Sequence, residues 1–200
     1  METQRSLFSE FKLQIKTLTM VVGLLWAIEI IDIPLGGWLD TFGILPRTAI
    51  GLRGILFSPF LHGNFMHLIS NTVPLIVLSW FIMLSGIGDW LMVTLIAGFL
   101  GGLGTWLIGS PAIHIGASGV IFGYFGFLIA RGYFERSFAS IAFAVLVTFL
   151  YGGIITGVAP GQAGISWEGH LCGLIGGIIA ARLLTKDRSK PRSIADKYDL

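Results

Sequence analysis

Two stretches decide the reading of this chain: GASGVIFGYFGFLIAR at residues 116–131 and WEGHLCGLIGGIIAAR at residues 167–182. Both are apolar for most of their length, rich in glycine and closed by an arginine. Each also holds a polar residue set among glycines, Ser118 in the first and His170 in the second. Polar groups at membrane depth are costly and are kept mostly for function. Serine and histidine together are the minimum set for nucleophilic acyl transfer.

The rest of the chain supports the same class. Of its 200 residues 54% are hydrophobic and only 12% are charged, and the mean hydropathy is +0.82. A soluble domain carries roughly 25% charge. The expectation is therefore an all-α polytopic membrane protein with six spans, at residues 17–33, 65–88, 90–109, 117–131, 138–158 and 167–184. Residues 34–64, broken by Pro34, Pro46 and Pro59, form a long loop at the membrane surface, with Trp38 and Phe42 as interfacial anchors. Residues 1–16 lack the layout of a cleavable signal peptide. Leu7, Phe11, Ile15 and Leu18 recur at helical spacing, which predicts a short interfacial helix before the first span. The domains are then a cytoplasmic N-terminal segment 1–16, a six-helix domain 17–184 and a basic tail 185–200. The single Cys172 excludes an internal disulfide, and the net charge of +2 is too weak to suggest nucleic acid. There is no HExxH and no thiol cluster, so neither a metal nor a cofactor is expected.

The basic residues set the orientation. With six spans both termini share a side, which holds Arg5, Lys12, Lys16, Arg131, Arg136, Arg182 and the tail, whereas the other side holds only Arg47 and Arg53. The excess places both termini in the cytoplasm. Ser118 lies thirteen residues before Arg131 and His170 twelve before Arg182. At ~1.5 Å per residue the two sit about 20 Å and about 18 Å from the cytoplasmic edge. They therefore share one level, some way below the outer surface. A fourth span that begins at Ser118 is too short to cross, so the segment around Gly109-Ser110-Pro111 must dip inward and line a cavity open to the outside. Gly119, Gly123 and Gly126 on one helix and Gly169, Gly173, Gly176 and Gly177 on the other let the two helices approach closely. A Ser118–His170 hydrogen bond is the expectation.

A second polar cluster, HGNFMHLISN at residues 62–71, opens the second span. His67 and Asn71 are four apart and share a helix face. An imidazole and a side-chain amide can both donate to a developing oxyanion. Asn64 reads as a helix cap, His62 as a holder of the loop and His114 as loop lining. Glu168, two residues before His170, points away from it. Glu29 and Asp32 are candidates to pair with a loop arginine such as Arg53.

These three motifs, in this order and spacing, resemble the rhomboid intramembrane serine proteases, over about residues 17–184. The resemblance implies Ser118 as nucleophile and His170 as general base. It implies an oxyanion hole made of His67, Asn71 and the Ser118 backbone N–H, with Gly116, Gly119, Gly173 and His62 in support. It also implies single-span membrane proteins as substrates, cut near their outer end after a small residue, with membrane lipid as the other partner. The location implied is a bacterial cytoplasmic membrane. The chain departs from the family pattern at three places. Leu52-Arg53 stands where many members carry Trp-Arg, Met83 stands where many carry Glu, and Phe122 stands where some place a tyrosine beside the histidine. Two rival classes are an inactive member that binds membrane clients and a small transporter. The first predicts loss of Ser118 or His170. The second predicts mid-membrane charges and an internal repeat, neither of which the sequence carries.

Overall fold

The computed structural model describes residues 2–162 and 164–188, with side chains described from Leu7 to Thr185. The expected tail therefore lies mostly outside the described residues. Seven α-helices follow in order: α1 (Glu2–Asp32), α2 (Gly54–Phe57), α3 (Phe65–Met83), α4 (Ile87–Ile108), α5 (Ser118–Glu135), α6 (Phe138–Tyr151) and α7 (Trp167–Arg188). Short 3-10 segments occupy Leu39–Phe42, Ile50–Arg53, Ser58–Phe60 and Gly152–Val158. Among the described residues, four stretches are long and apolar enough to cross a membrane: Leu7–Asp32, Phe65–Met83, Ile87–Ile108 and Phe138–Val158.

Several boundaries differ from the sequence expectation. Residues 2–16 continue directly into residues 17–32 as one helix of 31 residues. No glycine or proline interrupts residues 2–22, so nothing in the backbone separates an interfacial helix from a span. Helix α3 stops at Met83 rather than 88, and α4 starts at Ile87 rather than 90. Gly86 lies between them with φ 128°, a backbone conformation that no helix can continue.

Helix α5 is the centre of the molecule. Every residue from Val120 to Leu128 is buried, which is why its sequence is apolar all round instead of on one stripe. Its close neighbour is α7. A Cβ added to Gly173 would strike the Gly119 carbonyl, and one added to Gly177 would strike the Gly123 carbonyl. Gly176 does not share that face. It lies against α4, where an added Cβ would stand 3.1 Å from Ala97 Cα. Adjacent helical residues are turned by about 100°, so Gly176 and Gly177 serve different neighbours. Polar ties fix other pairs. Thr94 Oγ1 and Tyr124 Oη are 2.7 Å apart, and Trp26 Nε1 donates to Thr72 Oγ1 at 3.2 Å. At the turn after Met83, Gln14 Nε2 donates to the Met83 carbonyl, and Arg131 bonds Ser85.

The 33–64 segment is folded down onto the helix ends rather than loose. Ile44 and His114 exchange backbone hydrogen bonds of 2.9 Å in each direction. Arg47 Nη1 donates to the Gly109 carbonyl at 2.8 Å, and Trp106 Nε1 to the Thr48 carbonyl at 2.8 Å. The expected pairing of Arg53 with Glu29 or Asp32 is not formed. Arg53 Nη2 donates to the Thr41 carbonyl at 3.1 Å, and its guanidinium lies 4.2 Å over the Phe42 ring. Asp32 Oδ1 instead accepts from Leu39 N–H at 2.8 Å.

That arrangement leaves Asp40 in the loop with Asp32 as its charged neighbour. Burial first, and Asp32 second, push its carboxyl up to about 6. An acid raised in the fold binds its proton more tightly than the unfolded chain does, so stability falls as pH rises between the ordinary value of 3.8 and about 6. Asp40→Asn is expected to leave stability at pH 4 unchanged. At pH 8 it should add about 1 kcal/mol, the shift being discounted for solvent screening. Thermal unfolding of both proteins at the two pH values checks this; equal effects at pH 4 and pH 8 would contradict it.

Candidate active site

The site is built where three helix ends meet. Gly116 has φ 115°, and a Cβ there would lie 2.7 Å from His67 Nε2. Only glycine allows both the turn and the contact. Its N–H donates to the Ser58 carbonyl at 2.9 Å, which ties the turn to the 33–64 segment. Helix α5 starts two residues on, at Ser118. The Ile121 N–H to Ala117 carbonyl bond, 3.0 Å, is the first of the helix. The N–H groups before it, Ser118's among them, have no acceptor within the helix. Ser118 thus presents its hydroxyl and a backbone donor at the positive end of a helix.

His170 lies on the first turn of α7. Its Nε2 is 2.8 Å from Ser118 Oγ, and its Nδ1 is 2.9 Å from the Gly157 carbonyl. A carbonyl can only accept, so Nδ1 carries the proton and Nε2 offers its lone pair to the serine hydroxyl. The imidazole also stacks on Phe122, with ring centroids 4.1 Å apart and planes inclined by 10°. The residue that stands where some members place tyrosine therefore covers the histidine face. The role of Gly157 was not legible in the sequence, because a backbone carbonyl leaves no mark in residue type. An added Cβ there would fall 2.9 Å from His170 Nδ1 and 2.9 Å from Phe122 Cζ, which is the space the glycine keeps open.

The polar cluster divides its work. Asn64 caps α3, its Oδ1 accepting from His67 N–H at 2.9 Å. Asn71, 4% exposed, donates one amide N–H to the His67 carbonyl at 2.8 Å, which leaves one of its two donors. His62 is 2% exposed and meets the His67 ring edge-on, with centroids 5.0 Å apart. Burial first, and His67 second, push His62 down to about 4, so it is neutral at pH 7. Its Nε2 accepts from Ala117 N–H at 3.5 Å, beside the serine.

His67, Asn71, Ser118 and His170 all line one cavity of about 580 Å³, flanked by Ser110 and residues 112–115 on one side and by Gln162 and residues 164–166 on another. His114 lines it as expected, but is also 6% exposed and bonded to Ser166 Oγ at 2.6 Å. Glu168 points away from His170, and Oε1 accepts from Ser110 N–H at 2.8 Å.

Fold and site together define a class: an all-helical, multi-pass integral membrane protein with a hydrogen-bonded serine–histidine pair in a polar cavity between helix ends. The family model described as the Rhomboid domain matches residues 51–187. The uncharacterized protein Rv1337 of Mycobacterium tuberculosis is 44% identical over 187 residues, covering 89% of this chain and 78% of its own. The uncharacterized protein ML1171 of Mycobacterium leprae is 41% identical over 189 residues, 90% of this chain and 75% of its own. A Bacillus subtilis protein with the provisional name rhomboid protease YdcA is 29% identical over 168 residues, 76% of this chain and 78% of its own. The chain belongs to the rhomboid family, a family of intramembrane serine proteases.

Proposed function

We propose that this chain is an intramembrane serine endopeptidase that cuts single-span membrane proteins near their outer end. The observation that carries the reading is the chain of contacts Gly157 carbonyl, His170 Nδ1, His170 Nε2 and Ser118 Oγ, with steps of 2.9 Å and 2.8 Å. It fixes the tautomer that a general base needs without a third, acidic side chain. His170 takes the Ser118 proton as the hydroxyl attacks the substrate carbonyl. Ser118 N–H, His67 and the second N–H of Asn71 are the donors for the oxyanion. His170 then protonates the leaving amine, and water from the cavity releases the acyl-enzyme.

In this reading α5 and α7 complete a set of six crossings with the four apolar stretches, and residues 17–184 are the protease domain. The excess of Arg and Lys puts both termini in the cytoplasm and opens the cavity outward. A helical substrate hides its peptide bonds, so it must unwind locally to reach Ser118. Glycine or proline near the cut favours this.

The test is cleavage of a single-span substrate reconstituted with the protein in vesicles, the cut mapped by mass spectrometry. The expected cut lies near the substrate's outer membrane end, after a small residue. A cut in a soluble domain, or none, contradicts the reading. Within the same assay His67→Ala and Asn71→Ala are expected to lower kcat more than they change KM. The loss should be ~10²–10³ where one donor dominates, and less where the load is shared. A pure KM effect at both positions would make them substrate-binding or structural residues.

A further inference from the structure

Glu168 is the most deeply buried carboxylate of the described side chains, 2% exposed, and the proposed chemistry does not use it. Two residues before His170, it lies about 200° away around α7. Its side chain leaves the dyad and meets the segment between α4 and α5, where Oε1 accepts from Ser110 N–H at 2.8 Å. Oε2 is buried with no partner among the described residues. The carbonyl of the same Ser110 accepts from His114 Nε2 at 3.0 Å. The lone pair left on His114 Nδ1 faces the Ser166 hydroxyl at 2.6 Å. Both backbone groups of Ser110 are thus held from the α7 side, one directly by Glu168 and one through His114 and Ser166. The segment so held, from Ser110 to Ile115, is one wall of the cavity that contains Ser118.

We propose that Glu168 is a positioning residue for substrate: its bond to Ser110 fixes the 110–115 wall where an extended peptide must lie. A polar group this buried is costly unless bonded. The Ser110 N–H is what satisfies Oε1 at this depth, and any oxygen held at that place can accept it. The dyad has its own anchors, the Gly157 carbonyl and the Phe122 ring. Loss of Glu168 should therefore disturb how substrate is held more than how Ser118 reacts. The inference rests on the protease reading, and its test separates the two.

Glu168→Ala, the shortened Glu168→Asp and the rescue variant Glu168→Gln are compared with wild type in vesicles. In Ala and Asp the KM for a single-span substrate is expected to rise about tenfold, with kcat within about twofold. Labelling of Ser118 by a small fluorophosphonate should keep its wild-type rate. Gln, which keeps an accepting oxygen, should restore KM to within about twofold. Amide hydrogen exchange over residues 110–116 should accelerate in Ala and Asp and not in Gln. A wild-type KM in both Ala and Asp overturns the inference. So does a loss of cleavage matched by an equal loss of labelling, which would make Glu168 a support of the dyad itself. A wild-type protein that takes no label on Ser118 overturns the protease reading instead, and the exchange rates then decide whether Glu168 holds the wall.

Discussion

Ser118→Ala is expected to bring cleavage of a reconstituted single-span substrate down by about 10⁴–10⁶ in kcat, to background. The expectation is local. Ser118 Oγ bonds His170 Nε2, and alanine removes that oxygen while keeping the Cβ and the backbone donor. The helix start at Ser118 and the turn at Gly116 do not depend on the hydroxyl. The thermal unfolding midpoint should therefore stay close to wild type, which separates loss of chemistry from loss of fold. Cleavage retained by a purified Ser118→Ala protein would remove the serine from the mechanism.

Gly173→Leu should inactivate the protein without touching a reacting atom. Gly173 sits between two helices. On one side an added Cβ would strike the Gly119 carbonyl and stand 3.2 Å from Gly119 Cα. On the other, a Cβ added to Gly101 of α4 would stand 3.2 Å from Gly173 Cα. A leucine there can be housed only if α7 moves away from α5. A hydrogen bond survives only within ~2.7–3.2 Å, and a misplacement of about 1 Å costs on the order of 10²-fold. Gly123→Leu should act the same way, since its Cβ would meet Ala97 Cβ and stand 3.1 Å from the Gly173 carbonyl. Gly23→Leu is the control: nothing lies within 4 Å of a Cβ at that position of α1. The expected pattern is a loss of at least ~10² in cleavage for Gly173→Leu and Gly123→Leu, with Gly23→Leu at the wild-type rate. Wild-type cleavage by Gly173→Leu would show that close packing of α5 on α7 does not set the geometry of the pair.

Much of this arrangement is written in residue types and their spacing. Separations of thirteen residues from Ser118 to Arg131 and twelve from His170 to Arg182 put the two at nearly one depth, and the glycines of α5 and α7 mark where the backbones touch. Asn64 reads as a cap because an Asx residue opening an apolar helix has a mechanism for it. The parts that stayed hidden have no such mark. Gly157 acts through its carbonyl. Glu168 and Arg53 make bonds to backbone groups of distant segments, and no side-chain pattern announces those partners. The break between the second and third spans is legible, but not its place to the residue, since glycine marks a break only within a few positions. Gly176 was grouped with Gly177 because both are small; only packing tells that one faces α4 and the other α5.

The most direct test of the central claim is the site of covalent labelling. The purified protein in lipid vesicles is treated with a fluorophosphonate, and the modified residue is located by peptide mass spectrometry. The pairing of Ser118 with a His170 held by Gly157 predicts one label, on Ser118, and its loss in both Ser118→Ala and His170→Ala. A label on another residue, or labelling of Ser118 that persists at the wild-type rate in His170→Ala, would contradict it.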